Sequence, residues 1–110
     1  MAFDQRVADR LRSVIGRKRG FSEMKMFGGI GFLLNGNVCC GVWKDSLILR
    51  VGPDAYEELL AEPFVGEFDI TGRPMTGWVL VQPEGFETEA DLAKWFEIAR
   101  RFVSRLPAKT

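Results

Sequence analysis

Histidine is missing from all 110 residues. Its absence removes the usual general base, the Ser–His and Cys–His pairs, and the commonest metal ligand. Cysteine is nearly missing too: the two present are adjacent, Cys39 and Cys40. One such pair cannot supply the roughly four ligands of a tetrahedral zinc site, so neither a metal nor another cofactor is expected. On consecutive strand positions the two thiols should point to opposite faces, with Cys40 the slower to react. Only a strained vicinal disulfide could then join them, and reduced thiols in a cytoplasmic chain are the expectation. No apolar run approaches the roughly 18 residues of a membrane span. The first residues carry Asp4, Arg6, Asp9 and Arg10, unlike a secretory leader. Net charge is absent as well. Fifteen basic and fifteen acidic residues cancel, so no global field recruits nucleic acid or membrane.

What is present reads as one soluble domain over residues 1–110, 46% hydrophobic and 27% charged. The charges are sorted along it. Residues 1–26 are net +4, residues 27–95 net −7 and residues 96–110 net +3. Basic ends flank an acidic middle.

The chain is organised around Met26-Phe27-Gly28-Gly29-Ile30-Gly31-Phe32-Leu33-Leu34-Asn35-Gly36-Asn37. Asn35-Gly36 between apolar runs signals a type I′ hairpin, because both central residues of that turn need positive φ. An unbroken ladder from this turn sets Leu34 against Asn37, Leu33 against Val38, Phe32 against Cys39, Ile30 against Gly41 and Gly28 against Trp43. Residues directly opposite share a face. A third strand, Ser46 to Val51, follows a turn near Lys44-Asp45. Leu33, Val38, Cys40, Val42, Leu47, Leu49 and Val51 then form an aliphatic face expected beneath helices. Ile30, Phe32, Cys39, Trp43, Ile48 and Arg50 form the other.

Around this meander the periodicity predicts an amphipathic helix from Phe3 to about Arg17, capped by Asp4 and ended by Gly16 or Gly20. Gly52-Pro53 opens a short helix burying Tyr56, Leu59 and Leu60, with Glu57, Glu58 and Glu62 outward and Pro63 as stop. Two strands, Glu67 to Ile70 and Met75 to Gln82, surround the turn Thr71-Gly72-Arg73-Pro74, and Pro83-Glu84-Gly85 ends the second. Thr88 caps a last helix, Glu89 to Arg105, with Asp91 three residues on. Its apolar stripe is Leu92, Trp95, Phe96, Ala99, Phe102, Val103 and Leu106. The fold class is α+β: two layers, an antiparallel sheet packed against N- and C-terminal helices, in the order α-β-β-β-α-β-β-α.

The chemistry is mostly excluded. Gly28-Gly29-Ile30-Gly31 lacks the Lys-Ser/Thr of a phosphate loop and leads into a hairpin instead of a helix. Glu57-Glu58 and Glu89 with Asp91 sit at helix starts or exposed faces, where they cap and solvate. Trp78 and Trp95-Phe96 read as core. Arg50, on a sheet strand, needs either a rim carboxylate or an acidic ligand. The run Arg17-Lys18-Arg19 either completes a helix C-terminus or offers a phosphate site.

Met26-Phe27-Gly28-Gly29, Gly31-Phe32, Asn35-Gly36, Leu47-Ile48-Leu49-Arg50-Val51, Gly72-Arg73-Pro74-Met75, Gly77-Trp78, and the closing helix around Leu92 and Trp95 together resemble the N-terminal domain of the TfoX/Sxy family. Members are regulators associated with bacterial competence. The resemblance implies a two-layer α+β fold, carries over no catalytic residue, and spans nearly the whole chain. Longer members have a second, C-terminal domain that is not expected in a chain stopping at Thr110, so DNA-related roles resting on it are not expected either. The methyltransferase role attributed to some relatives meets no methyl-donor motif. The function expected is a non-enzymatic regulatory module that binds a protein partner or itself. Its face would comprise Ile30, Phe32, Trp43, Ile48 and Arg50, covered by a partner unless the short helix or sheet curvature covers it. The alternative is nucleic-acid binding through a basic patch of Arg17, Lys18, Arg19, Arg101 and Arg105, joined by Arg6, Arg10 and Arg100.

Overall fold

A computed structural model describes residues 3–26, 28–69 and 72–108. The first helix, α1, spans Gln5–Ile15; the Asp4 side chain accepts the Arg6 N–H at 2.8 Å, and Gly16 ends the helix. Four strands follow: β1, Phe21–Met26; β2, Gly29–Leu34; β3, Asn37–Trp43; and β4, Ser46–Arg50. Then come α2, Pro53–Leu60; β5, Val65–Glu67; β6, Trp78–Val81; a 3₁₀ turn, Pro83–Phe86; and α3, Glu89–Val103. The expected order of helices and strands holds, with β1 as an additional strand ahead of the meander. Both late strands differ from their expected bounds. β5 begins two residues earlier and ends at Glu67, β6 is trimmed to four residues, and Ile70 and Thr71 lie outside the described residues.

The six strands form one antiparallel sheet in the order β1-β2-β3-β4-β6-β5. Asn35 and Gly36 have φ of 53° and 86°, as the type I′ turn requires. Next to the turn the expected register is observed, Leu34 with Asn37 and Leu33 with Val38. Beyond it the ladder slips. Phe32 faces Cys40, Gly31 faces Gly41 and Ile30 faces Val42. A β-bulge at Cys39 places an extra residue on β3, and one extra residue exchanges the faces of everything beyond it.

The exchange corrects the expected sorting. Ile30 and Phe32 join Cys40, Val42, Leu47, Leu49, Val79 and Val81 on the face covered by helices. Leu33 and Val38 move to the opposite face. Cys39 and Cys40 both lie within the helix-side cluster, fully buried and free, so the thiols do not point oppositely. The glycine beside Trp43 is Gly29, not Gly28: a Cβ there would come within 3.3 Å of the Trp43 Cα.

Both terminal helices cover that face, as expected. α1 contributes Val7, Ala8, Leu11 and Ile15, and α3 contributes Leu92, Trp95, Phe96, Ala99 and Val103. Arg10 ties them at one end, donating to the Phe86 carbonyl at 2.7 Å and meeting Glu89 at 2.8 Å. Arg12 ties α1 to the sheet edge through Glu23 at 2.9 Å. Trp95 donates from Nε1 to the Gly85 carbonyl at 2.9 Å, and Thr88 Oγ1 accepts the Asp91 N–H at 3.1 Å. α2 packs by the β5–β6 edge with Tyr56 in the same cluster. It does not cross to the other face.

Candidate functional site

All three helices lie on one side of the sheet, so the other side is where a partner can reach the strands. It divides into two halves. Over β4 and β6 it carries a small second core: Ile48 and Phe68 are fully buried yet stand outside the helix-side cluster. Phe68, the residue after β5, stacks on Trp78 with centroids 5.7 Å apart, and its carbonyl accepts the Met75 N–H at 3.1 Å. The segment after β5 thus folds back over this half.

Over β1, β2 and β3 no element of the described residues covers the face. Met24, Met26, Leu33 and Val38 line a concavity of about 360 Å³ with Trp78 and Arg50 at its border. Met24 remains 48% exposed. Met26 lies across Gly31, where a Cβ would fall 2.2 Å from its sulfur, so a glycine is needed for the thioether to lie flat on the sheet. Such a floor is soft. Methionine sulfur and unbranched stems adapt to differently shaped apolar partners.

Arg50 is half-buried at the end of the sheet where α3 finishes. Its guanidinium carbon lies 5.4 Å from the Trp78 ring centroid and 6.0 Å from that of Phe102. Among the described residues no carboxylate is within salt-bridge distance of it. The aromatic rings hold the charge in place without neutralising it.

The five residues expected to form one face are therefore not brought together. Ile30 and Phe32 lie under α1 and α3. Ile48 is on the helix-free side but fully buried. Trp43 is half-buried on that side with the Lys44 ammonium 4.6 Å from its ring, at the opposite end of the strands from Arg50. Arg50 alone borders the concavity. Sequence reasoning missed Met24 and Met26, although Met24-Lys25-Met26 alternates as an edge strand does. It placed Leu33 and Val38 on the wrong side, and it assigned Trp78 to the core.

The two basic segments do converge. Lys18 and Arg19 from the loop after α1 share a second concavity, of about 420 Å³, with Glu97 and Arg100 of α3, its C-cap Ser104 and the turn residue Asn35. Arg100 clasps Glu97 through Nε and Nη2, and Arg101 approaches the same carboxylate at 3.8 Å. These bonds, led by the one from Arg100, hold the Glu97 carboxyl below its ordinary value, with Arg101 and Lys18 adding to the effect. Lys18 itself donates to the Val14 carbonyl at 3.1 Å and lies 5.8 Å from the Phe96 centroid.

No group of three or more Cys, Asp or Glu side chains among the described residues could hold a metal ion. No helix of the described residues is long and apolar enough to cross a membrane. The family model for the TfoX N-terminal domain matches residues 15–103, from the end of α1 to the end of α3. The chain belongs to the TfoX N-terminal domain family. No curated protein and no solved structure matched it. In this TfoX N-terminal domain the matched span takes in the whole sheet, the β-bulge and the concavity over β1–β3.

Proposed function

We propose that this TfoX N-terminal domain is a non-enzymatic regulatory module that docks on a partner protein through the helix-free face over β1–β3. The observation that carries the reading is Arg50: a guanidinium fixed on Trp78, without a carboxylate, at the border of an apolar concavity. A protein surface that presents an apolar side chain to Met24, Leu33 and Val38 and a carboxylate to Arg50 satisfies both. Tryptophan, methionine and arginine are the residue types that interfaces favour. The lining residues include no carboxylate, so a second copy laid face to face would leave Arg50 unmatched. That favours a different protein as occupant. The absence of histidine supports a role in regulation over one in catalysis.

A photo-crosslinking residue at position 24 tests the proposal in native extract. One protein should be captured, its yield should fall at least roughly tenfold in Arg50→Glu, and it should persist in Arg19→Glu on the other side of the sheet. A tenfold loss corresponds to about 1.4 kcal/mol, within reach of one desolvated charge pair. Capture of a second copy, or capture indifferent to Arg50, would overturn the reading.

A further inference from the structure

The domain is neutral overall, yet its charge is sorted across the sheet. Residues 51–72, which build α2 and the β5 edge, contain Asp54, Glu57, Glu58, Glu62, Glu67 and Asp69 and no lysine or arginine. At the other end Lys18, Arg19 and Arg100 line the concavity between the α1–β1 loop and α3, Arg17, Arg101 and Arg105 lie beside them in sequence, and Glu97 is the one carboxylate among the described lining residues. Arg17, Arg19 and Arg105 are exposed, and among the described residues none has a carboxylate within salt-bridge distance. Glu97 spends its oxygens on Arg100 and Arg101. Arg17, Arg19 and Arg105 are left with their charge unmatched.

We propose that this basic end binds the phosphodiester backbone of nucleic acid, with Lys18, Arg19 and Arg100 around a phosphate in the concavity and Arg17 and Arg105 on its neighbours. Five of the six cations are arginine, whose planar fork matches phosphate oxygens. The cleft is open and spans two chain segments, which suits a continuous polyanion better than an enclosed small anion. Lining residues that could read a base edge are few, with Asn35 the amide among them, so binding should be independent of sequence. The surface lies on the helix side, and the β2–β3 turn divides it from the docking face, with Asn35 lining one concavity and Gly36 and Asn37 the other.

Anisotropy titrations of the purified chain with fluorescent 20-nucleotide DNA and RNA of scrambled sequence test this. With about five phosphate contacts on duplex DNA, affinity should fall by about 500-fold between 50 and 200 mM salt. The variant Arg17→Gln/Arg19→Gln/Arg105→Gln should reduce that dependence to about tenfold, since two contacts remain. These three side chains are exposed, so circular dichroism should match wild type; the single Arg19→Gln variant, with an intermediate salt dependence, keeps the test valid should the triple variant misfold. Arg50→Glu should bind as wild type does. No binding at 50 mM salt, or binding unchanged by the triple variant, would overturn the proposal. So would equal affinity for polyglutamate, which would mark an acidic protein as the ligand. Self-association in sedimentation that the triple variant abolishes would do the same, since the basic end would then be meeting the acidic edge of a second copy.

Discussion

The two faces of the sheet are built from the same strands to opposite specifications. On the helix side, Phe32, Cys40, Val42, Leu47, Leu49, Val79 and Val81 are at most 2% exposed and touch three helices. On the other, Met24, Leu33, Val38 and Trp78 keep part of their surface in water, and Gly31 and Gly41 flatten the strands between them. The first face is close-packed and specifies the fold. The second is soft, partly bare and carries a fixed charge. A one-residue bulge at Cys39 decides which residues serve which purpose, because it reverses the alternation halfway along the hairpin.

Truncations on the covered face should cost most. Phe32→Ala should lose about 3–5 kcal/mol and Leu49→Ala about 2–5 kcal/mol in denaturant titrations, the range for well-packed core side chains. A straight ladder would have left Phe32 on the helix-free side, so a loss under about 1 kcal/mol there would break the comparison.

The thiols give the next effect. The hydrogen bond with Cys39, and then burial, push the Cys40 thiol well above its ordinary value of 9.0. In the unfolded chain this thiol ionises near that value, whereas in the fold it stays protonated. Stability from this source is therefore complete below about pH 9 and is lost as pH rises beyond it. Denaturant midpoints measured from pH 7 to 10.5 should fall at the upper end, and a Cys40→Ala variant should flatten that limb. Both thiols should label slowly in the native protein and quickly in denaturant. Rapid native labelling of Cys39 alone would return it to the open face.

Ile48→Val sharpens the division within the helix-free side. Ile48 is buried with the second small core, so the change should cost about 0.5–1.5 kcal/mol. Val38→Ala, on the uncovered half, should stay within about 0.5 kcal/mol by the same titration. Equal losses at the two positions would mean that the uncovered half is covered after all.

Most of the architecture was legible because its signals are local. Asp4 and Thr88 cap helices where side-chain acceptors precede apolar periodicity, Pro53 opens α2, and Asn35-Gly36 turns the hairpin. The apolar stripe of α3 reads directly at helical spacing. Two features were less accessible. β1 is half polar, with Ser22, Glu23 and Lys25 interleaved, and as an edge strand it has one neighbour to declare it. The bulge leaves little local trace: Val38, Cys39, Cys40 and Val42 are apolar, so no polar residue marks the change of face. Only the adjacent pair of thiols followed by Gly41 hints that two residues share a side. The site suffered most, since Leu33, Val38, Ile30 and Phe32 all changed roles with that one residue. The convergence of the basic ends was equally hidden, because residues 18 and 100 meet only through the packing of α3 on the sheet.

The position of α3 in the chain also sets the timetable of synthesis. Every strand leaves the ribosome before the helix that covers β3 and β4, and of the helices on that face only α1 and the short α2 emerge earlier. At about 5–20 residues per second, the 15 residues of α3 take on the order of one to three seconds to appear. During that interval a nascent sheet presents Leu47, Leu49 and Val79 without their lid. Ribosome-bound chains halted just before and just after α3 should therefore differ sharply in protease resistance, since exposed apolar surface of this kind is what makes incomplete chains vulnerable.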